Sequence, residues 1–229
     1  MQTRGILPFA LSVGFTIIGV GATETAFAQD PPPRIGPFVV DVRGVLPTFS
    51  DDAAIALSRG LSQAELPGLG LGATAGVHVY LPKIARIVVG LGGEVMISRA
   101  HADPPGPFID PLTMKTTVST LRLVTETFKS ISPQLSLNFG TGRGWSYLSG
   151  GLGRSMWSIV PDTRAPLPMD DEVLDTMNYG GGGRWFAKKH LAFSLDVRVY
   201  QIAPTTSQLG YPSVPRTRLL VIGAGISVK

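Results

Sequence analysis

The chain has 229 residues, of which 44% are hydrophobic and only 16% are charged, with a formal net charge of +4. Soluble domains are about a quarter charged, so this charge content is low for a soluble protein. The absence of cysteine excludes a disulfide framework and thiolate metal sites. Because the positive charges are scattered along the chain, nothing favours a nucleic-acid partner.

The first 28 residues have the pattern of an export signal. Arg4 precedes a mostly apolar run, and Ala26-Phe27-Ala28 supplies the small residues that signal peptidase requires before Gln29. We therefore predict a cleaved signal peptide over residues 1–28, with an uncleaved membrane anchor as the alternative. A proline-rich leader over residues 29–36 and one domain over residues 37–229 follow. No run of about 18 apolar residues occurs after Gln29, so no helical span is expected in the mature chain.

Eight segments of strand character follow the leader. Each is about as long as the 9 to 11 residues that a tilted strand needs to cross a bilayer. The predicted segments are residues 37–46, 71–81, 86–97, 130–139, 145–158, 177–187, 190–202 and 217–228. The stretch TTVSTLRLVTETFKS is also β-prone, and it predicts either an extension of its neighbours or an extra hairpin, which would give ten strands.

The connections between these segments alternate between long and short. The short ones are LPKIA, GTGRG and AKK, and the remaining four connections are long. In an up-and-down meander this order places all short turns at one end and all long loops at the other, as in outer-membrane barrels. The sequence therefore predicts an all-β, eight-stranded antiparallel up-and-down transmembrane β-barrel.

The alternation within each strand predicts which face meets lipid. In LAFSLDVRVY (residues 191–200) one face is wholly apolar, and the other carries Asp196 and Arg198. An arginine facing lipid at mid-depth costs about 2–4 kcal/mol, so we assign the apolar face to lipid. The same parity predicts an interior polar network of Asp41, Arg43, His78, Glu94, Asp196 and Arg198.

Pairing within this network follows from the closed order of the strands. The first and seventh strands both flank the eighth, so Asp41 and Arg43 are expected to meet Asp196 and Arg198, because unpaired buried charges are costly. His78 could meet Glu94. The alternative is a set of charges that water solvates separately at the strand ends.

Aromatic and glycine residues add two further predictions. An interfacial aromatic girdle is predicted from Tyr80, Phe139, Trp145, Trp157, Trp185 and Tyr200. The glycines of SYLSGGLGRSMW and NYGGGGRWF predict tight curvature, bulges or close packing of interior side chains. No GK[ST] motif follows them, so a phosphate-binding loop is not expected.

The signal peptide, the hairpins ISPQLSLNFGTGRGWSYLSGGLGRSMW and NYGGGGRWFAKKHLAFSLDVRVYQI, and the terminal RLLVIGAGISVK together resemble the small outer-membrane β-barrel family, represented by the OmpA transmembrane domain and OmpX. The last segment is similar to the assembly signal of that family, here Gly223, Ile226 and Val228. It departs from the pattern at Ile222, where a polar residue is usual, and at Lys229, where an aromatic residue is usual. The resemblance implies outer-membrane lipid and the barrel-insertion machinery as partners.

No catalytic pattern accompanies these features. H-E-x-x-H is absent, and so is the F-x-H-x-S-N pattern of the lipid A deacylases, which resemble this chain in size. We expect no catalytic residue, no cofactor and no metal. An eight-stranded barrel is just wide enough for its own side chains, which implies a structural or surface-interaction role through long extracellular loops with an unknown extracellular or envelope partner. The alternatives are a narrow channel or small-solute transport barrel, and a secreted lipocalin-like ligand-binding barrel.

Overall fold

The computed structural model describes residues 34–82, 86–103, 108–109, 116–117, 121–208 and 210–229. The predicted signal peptide, most of the leader and part of the LPKIA turn lie outside the described residues. Cleavage after Ala28 therefore stays a prediction. Among the helices of the described chain, none is long and apolar enough to cross a membrane.

Eight antiparallel strands close into an up-and-down barrel, which confirms the predicted fold class. The barrel strands are β1 (Phe38–Thr48), β2 (Leu71–Tyr80), β3 (Ile87–Ala102), β6 (Val124–Thr141), β7 (Gly144–Pro161), β8 (Val173–Phe186), β9 (Leu191–Ile202) and β10 (Thr217–Val228). The barrel closes where β1 pairs with β10, with Asp41 opposite Ser227. Two short strands, β4 (Phe108–Ile109) and β5 (Thr116–Thr117), pair with each other outside the barrel.

The ambiguous stretch over residues 116–130 contributes to both structures that the sequence allowed. Its first two residues form β5 of the small hairpin, and its last seven belong to β6, which has 18 residues. The extended part of β6 is stabilised by packing inside the barrel. Phe128 of β6 pairs with Trp157 of β7 in the ladder, and the two residues are 0% and 2% exposed. The barrel itself has eight strands rather than ten.

Short turns and long loops lie at opposite ends of the barrel, as predicted. The turn end carries residues 81–82 and 86, the turns over residues 142–143 and 187–190, the start of β1 and the end of β10. The loop end carries the described residues of the other four connections, which are 49–70, 103, 121–123, 162–172, 203–208 and 210–216. The first loop contains a short helix, α1 (Ala53–Ser58), whose N-terminus is capped by the Asp52 side chain.

The outer wall of the barrel is mostly apolar, and the interior holds the buried charged side chains together with aromatic and aliphatic ones. On β9, Leu195 and Val197 are 43% and 50% exposed on the outer wall, whereas Asp196 and Arg198 are 6% and 3% exposed. The same inside-out alternation runs along β1, whose exposed and buried residues alternate over its full length. This polarity is the reverse of a soluble barrel, which buries its apolar face.

The interior is filled in three layers. An aromatic cluster of Val39, Tyr80, Val88, Trp145 and Tyr147 lies toward the turn end. A second apolar cluster at the loop end includes Phe128, Trp157 and Tyr200, and it also includes Ile55 from α1 of the first loop. Charged side chains occupy the layer between them.

Candidate functional site

Four charged side chains meet at the centre of the barrel and form the interior ionic cluster, defined as Arg43, Glu94, Asp196 and Arg198. Arg43 forms ion pairs with Glu94 and, at 3.4 Å, with Asp196. The Arg198 Nε lies 3.2 Å from Asp196 Oδ1 and 3.5 Å from Glu94 Oε1. Each cation therefore contacts both anions, although the four residues come from β1, β3 and β9.

Neutral polar side chains complete the coordination of this cluster. The Tyr147 hydroxyl accepts a hydrogen bond from Arg43 at 2.9 Å and donates one to Asp196 at 2.8 Å. The Tyr200 hydroxyl donates to Glu94 at 2.9 Å. Arg198 donates to Gln134, Ser149 and Asn178 at 3.1, 2.7 and 2.8 Å. Buried charged side chains need such partners to offset the cost of their desolvation. Each member of the cluster has hydrogen-bond partners, so the cluster contributes to the structural core of the barrel.

Asp41 does not join this cluster, contrary to the expectation from strand order. It accepts a two-pronged hydrogen bond from Arg184, at 2.9 Å to Nε and 2.5 Å to Nη2, and a further bond from Ser227. The Arg184 guanidinium also lies 4.2 Å from the centre of the Tyr147 ring. The two ionic groups together contain three cations and three anions, so their charge is balanced.

Arg184 is the charged residue of the barrel interior that the sequence reasoning missed. Assigning Trp185 to the outer wall places Arg184 on the inner face by simple alternation, so the signal was present in NYGGGGRWF.

His78 lies inside the barrel, but the predicted contact with Glu94 is absent. Both carboxylate oxygens of Glu94 are engaged by other groups, Tyr200 on one oxygen and Arg43 on the other. Neither ring nitrogen of His78 has a hydrogen-bond partner among the described residues. The stronger donors thus take the carboxylate, and the imidazole is left in the interior at 6% exposure.

The glycines of β8 give the interior side chains room. A Cβ on Gly182 would lie 2.8 Å from the Tyr147 hydroxyl, and a Cβ on Gly180 would lie 3.1 Å from the Arg198 Cβ. Both glycines lie on the same face of β8 as Arg184, so their missing side chains leave space for ring and guanidinium groups. The predicted close packing of interior side chains is therefore present at this strand.

The predicted aromatic girdle is wrong for four of its six residues. Phe139 and Trp185 face outward at 39% and 54% exposure, whereas Tyr80, Trp145, Trp157 and Tyr200 point into the barrel and are at most 8% exposed. The inner aromatic side chains fill the barrel, and some of them form hydrogen bonds with its charged side chains. The Trp157 Nε1, for example, donates to Glu126 at 2.7 Å. Position near a strand end identified these residues, but strand parity decides which way they point.

The predicted assembly signal lies on β10 with its two apolar members on the outer wall. Ile226 and Val228 are 52% and 45% exposed, and Gly223 packs where a Cβ would lie 3.1 Å from Val45. Recognition of this segment by an insertion machinery stays a prediction.

The long loops contact one another and form the loop cap, defined as residues 49–70, 121–123, 162–172, 203–208 and 210–216. Arg59 of the first loop forms a fully buried ion pair with Asp170 of the third, at 3.0 Å. The Arg164 guanidinium donates to the Arg59 carbonyl at 2.9 Å and lies 5.5 Å from the centre of the Tyr211 ring in the fourth loop. The sequence does not predict these pairs, because the partners are far apart in the chain.

A carboxylate and an arginine join the first and second loops. The Arg122 Nε donates to Glu65 at 2.7 Å, and both the amide and the hydroxyl of Ser62 donate to the same carboxylate at 2.7 and 2.8 Å. The hydrogen bond from Arg122 is the main reason that the pKa of Glu65 falls from the usual 4.5 to about 2.

This lowered pKa predicts an acid-sensitive loop cap. The contribution of Glu65 to stability is fully present above about pH 4.5 and is lost as the pH falls toward 2, because protonation of the folded state must then break the pair. We expect amide hydrogen exchange in residues 60–66 to accelerate over this range, after correction for intrinsic rates. Glu65→Gln is expected to exchange fast even at pH 6, whereas Asp171→Asn, at an exposed carboxylate of another loop, should behave like the parent.

Comparison with known proteins gives structural matches of low similarity. No protein-family model matches the chain, and no curated protein sequence matches it. The crystal structure of Neisserial surface protein A (NspA) is similar with a TM-score of 0.49 and 13% identity, over 85% of this chain and 97% of NspA. The outer membrane protease OmpT from Escherichia coli gives a TM-score of 0.39 and 7% identity, over 83% and 96%. The fold assignment here rests on the strand pairing of this chain.

Proposed function

We propose that this protein is an integral outer-membrane β-barrel that displays an ordered loop cap and acts through structure and surface interaction. The observation that carries the proposal is the inside-out polarity of the barrel. An apolar outer wall is stable in hydrocarbon, where a closed barrel satisfies every backbone hydrogen bond. The same wall in water would leave a large apolar patch of the kind that causes association.

The filled interior favours a structural role over a diffusion pore. The interior ionic cluster lies between two apolar clusters, and Ile55 of α1 packs into the one at the loop end. Side chains that are ion-paired on every side cannot move aside without leaving charges unpaired in a low-dielectric space. A solute path along the barrel axis would therefore have to break the cluster.

The loop cap supports the surface-interaction part of the proposal. Its four loops are connected by Arg59–Asp170, Arg122–Glu65 and the Thr206–Glu172 hydrogen bonds at 3.0 and 3.2 Å. Loops that are fixed in this way lose little conformational entropy on binding a partner. The barrel thus anchors the protein in the membrane, and the loop cap recognises a binding partner.

Cell fractionation and bilayer conductance test this proposal together. Expressed with its own leader in a Gram-negative host, the protein should sediment with the outer membrane and resist extraction by carbonate. Refolded protein should add no ion conductance to a planar bilayer above that of protein-free vesicles. Recovery in the soluble periplasm would favour the lipocalin-like alternative, and stable conductance steps would favour the narrow channel.

A further inference from the structure

The turn end of the barrel contains a cleft of about 730 Å³ that is lined by cations. Its charged or titratable lining residues are Arg34, Arg143, Lys188, Lys189, His190 and Lys229. They come from four separated parts of the chain: the approach to β1, the turn over residues 142–143, the turn over residues 187–190, and the residue after β10. The cleft is therefore a product of the closed barrel.

No acidic side chain balances these cations in the described part of the turn end. The exposed aspartates of the described chain all lie at the loop end or at the start of β8: Asp51, Asp52, Asp103, Asp162, Asp171 and Asp175. Asp41 is the nearest acidic residue along β1, but it is buried and engaged by Arg184. The two ends of the barrel thus differ sharply in charge, and the turn end attracts anions.

The cationic side chains are available to a ligand. Arg34, Arg143, Lys188 and Lys189 are exposed, and none forms an ion pair with a described residue. Two other lining groups are fixed in place. The Lys229 ammonium lies 3.8 Å from the centre of the Phe186 ring, and His190 Nδ1 lies 2.9 Å from the Lys229 carbonyl oxygen.

The cleft also adjoins the apolar outer wall. Phe38 belongs to both, because it lines the cleft and faces outward at 46% exposure. Leu191 and Val228, which pair across β9 and β10, continue the apolar wall at the same end. A ligand that fits this arrangement has an anionic group for the cations and hydrocarbon chains for the wall.

We propose that this cleft binds the phosphate headgroup of an anionic phospholipid from the membrane leaflet that faces the turn end. The phosphodiester occupies the space between Arg143, Lys188 and Lys189, and the acyl chains lie along the outer wall beside Phe38. Arginine and lysine bind phosphate oxygens through charge-assisted hydrogen bonds, which are stronger than neutral ones. This inference rests on the proposed membrane location and adds a lipid class to it.

Titration of refolded protein with short-chain lipids tests the inference. The protein is held in uncharged maltoside micelles at 0.15 M salt, and backbone amide shifts of residues 142–144 and 187–190 are followed. The probes are dihexanoyl phosphatidylglycerol, dihexanoyl phosphatidylcholine and inorganic phosphate. We expect phosphatidylglycerol to bind at least about tenfold more tightly than phosphatidylcholine, since each basic residue near an anionic lipid contributes about fivefold before screening.

Two triple variants with equal net charge separate the cleft from general electrostatics. Arg143→Gln/Lys188→Gln/Lys189→Gln should lose the preference for phosphatidylglycerol. Arg99→Gln/Lys129→Gln/Arg216→Gln, which neutralises three exposed cations toward the other end, should keep it within about twofold. Equal loss in both variants, or no preference in the parent, would overturn the inference. Inorganic phosphate that binds as tightly as phosphatidylglycerol would also overturn the assignment to lipid.

The state of the barrel is measured in the same samples. Folded protein that inserts into phosphatidylcholine vesicles, and migrates faster in electrophoresis without heating than after boiling, supports the proposed function whatever the lipid titration gives. Failure to insert would instead contradict the proposed function itself.

Discussion

Arg184→Met is expected to reduce the free energy of unfolding by about 3–5 kcal/mol, the cost of breaking a buried ion pair by removing one partner. The methionine keeps much of the volume of the arginine stem, but it leaves the Asp41 carboxylate buried with only Ser227 as a hydrogen-bond donor among its observed partners. Loss of the guanidinium that faces the Tyr147 ring adds to the cost. Urea unfolding of the protein in vesicles, followed by tryptophan fluorescence, measures the change.

A second substitution shows whether the unpaired charge causes this loss. Arg184→Met combined with Asp41→Asn removes both charges and keeps an acceptor for Ser227, so most of the stability should return. Arg216→Met, at an exposed arginine of the fourth loop, should change stability by less than about 0.5 kcal/mol. A double variant as unstable as Arg184→Met alone would show that packing, not charge, dominates at this position.

Leu195→Arg is expected to impair insertion strongly. Leu195 is the third of five apolar side chains on its face of β9, so it lies near the middle of the outer wall, and an arginine at the bilayer midplane costs about 2–4 kcal/mol. The measurement is the fraction of protein that reaches the heat-modifiable folded form in vesicles, together with its urea midpoint.

Leu57→Arg is the matched control for this substitution. Leu57 is an exposed leucine at 64%, compared with 43% for Leu195, but it lies on α1 in the loop cap. Water solvates an arginine there, so we expect little change in folding. Equal tolerance of both arginines would contradict a lipid-facing wall. Asp196→Arg is a poor comparison, because it would place a third cation in the interior ionic cluster.

Strand parity could be read from the sequence because it is a local property. The alternation in LAFSLDVRVY placed Asp196 and Arg198 inside, and the structure has both there. The order of long and short connections gave the up-and-down topology for the same reason. Neither inference required knowledge of which distant residues meet.

Partner choice and loop structure could not be predicted because they depend on contacts across the barrel. Asp41 meets Arg184, which is 143 positions away in the chain. Nothing in the local sequence shows that Asp41 pairs with Arg184 while Arg43, two residues later, joins the interior ionic cluster. The aromatics show the same limit. Trp145 and Trp157 stand near strand ends in the sequence, yet they fill the interior, and Arg59 finds Asp170 only when two loops fold together.

A scan of single cysteines along β9 distinguishes a lipid-facing outer wall from a water-facing one, and the cysteine-free chain permits it without background. Nitroxide labels at Phe193, Leu195 and Val197 should collide with oxygen dissolved in the bilayer and be shielded from a water-soluble nickel complex, whereas labels at Ser194 and Asp196 should be shielded from both. A label at Leu57 should be reached by the nickel complex. Labels at Leu195 and Val197 that the nickel complex reaches as readily as Leu57 would contradict the account.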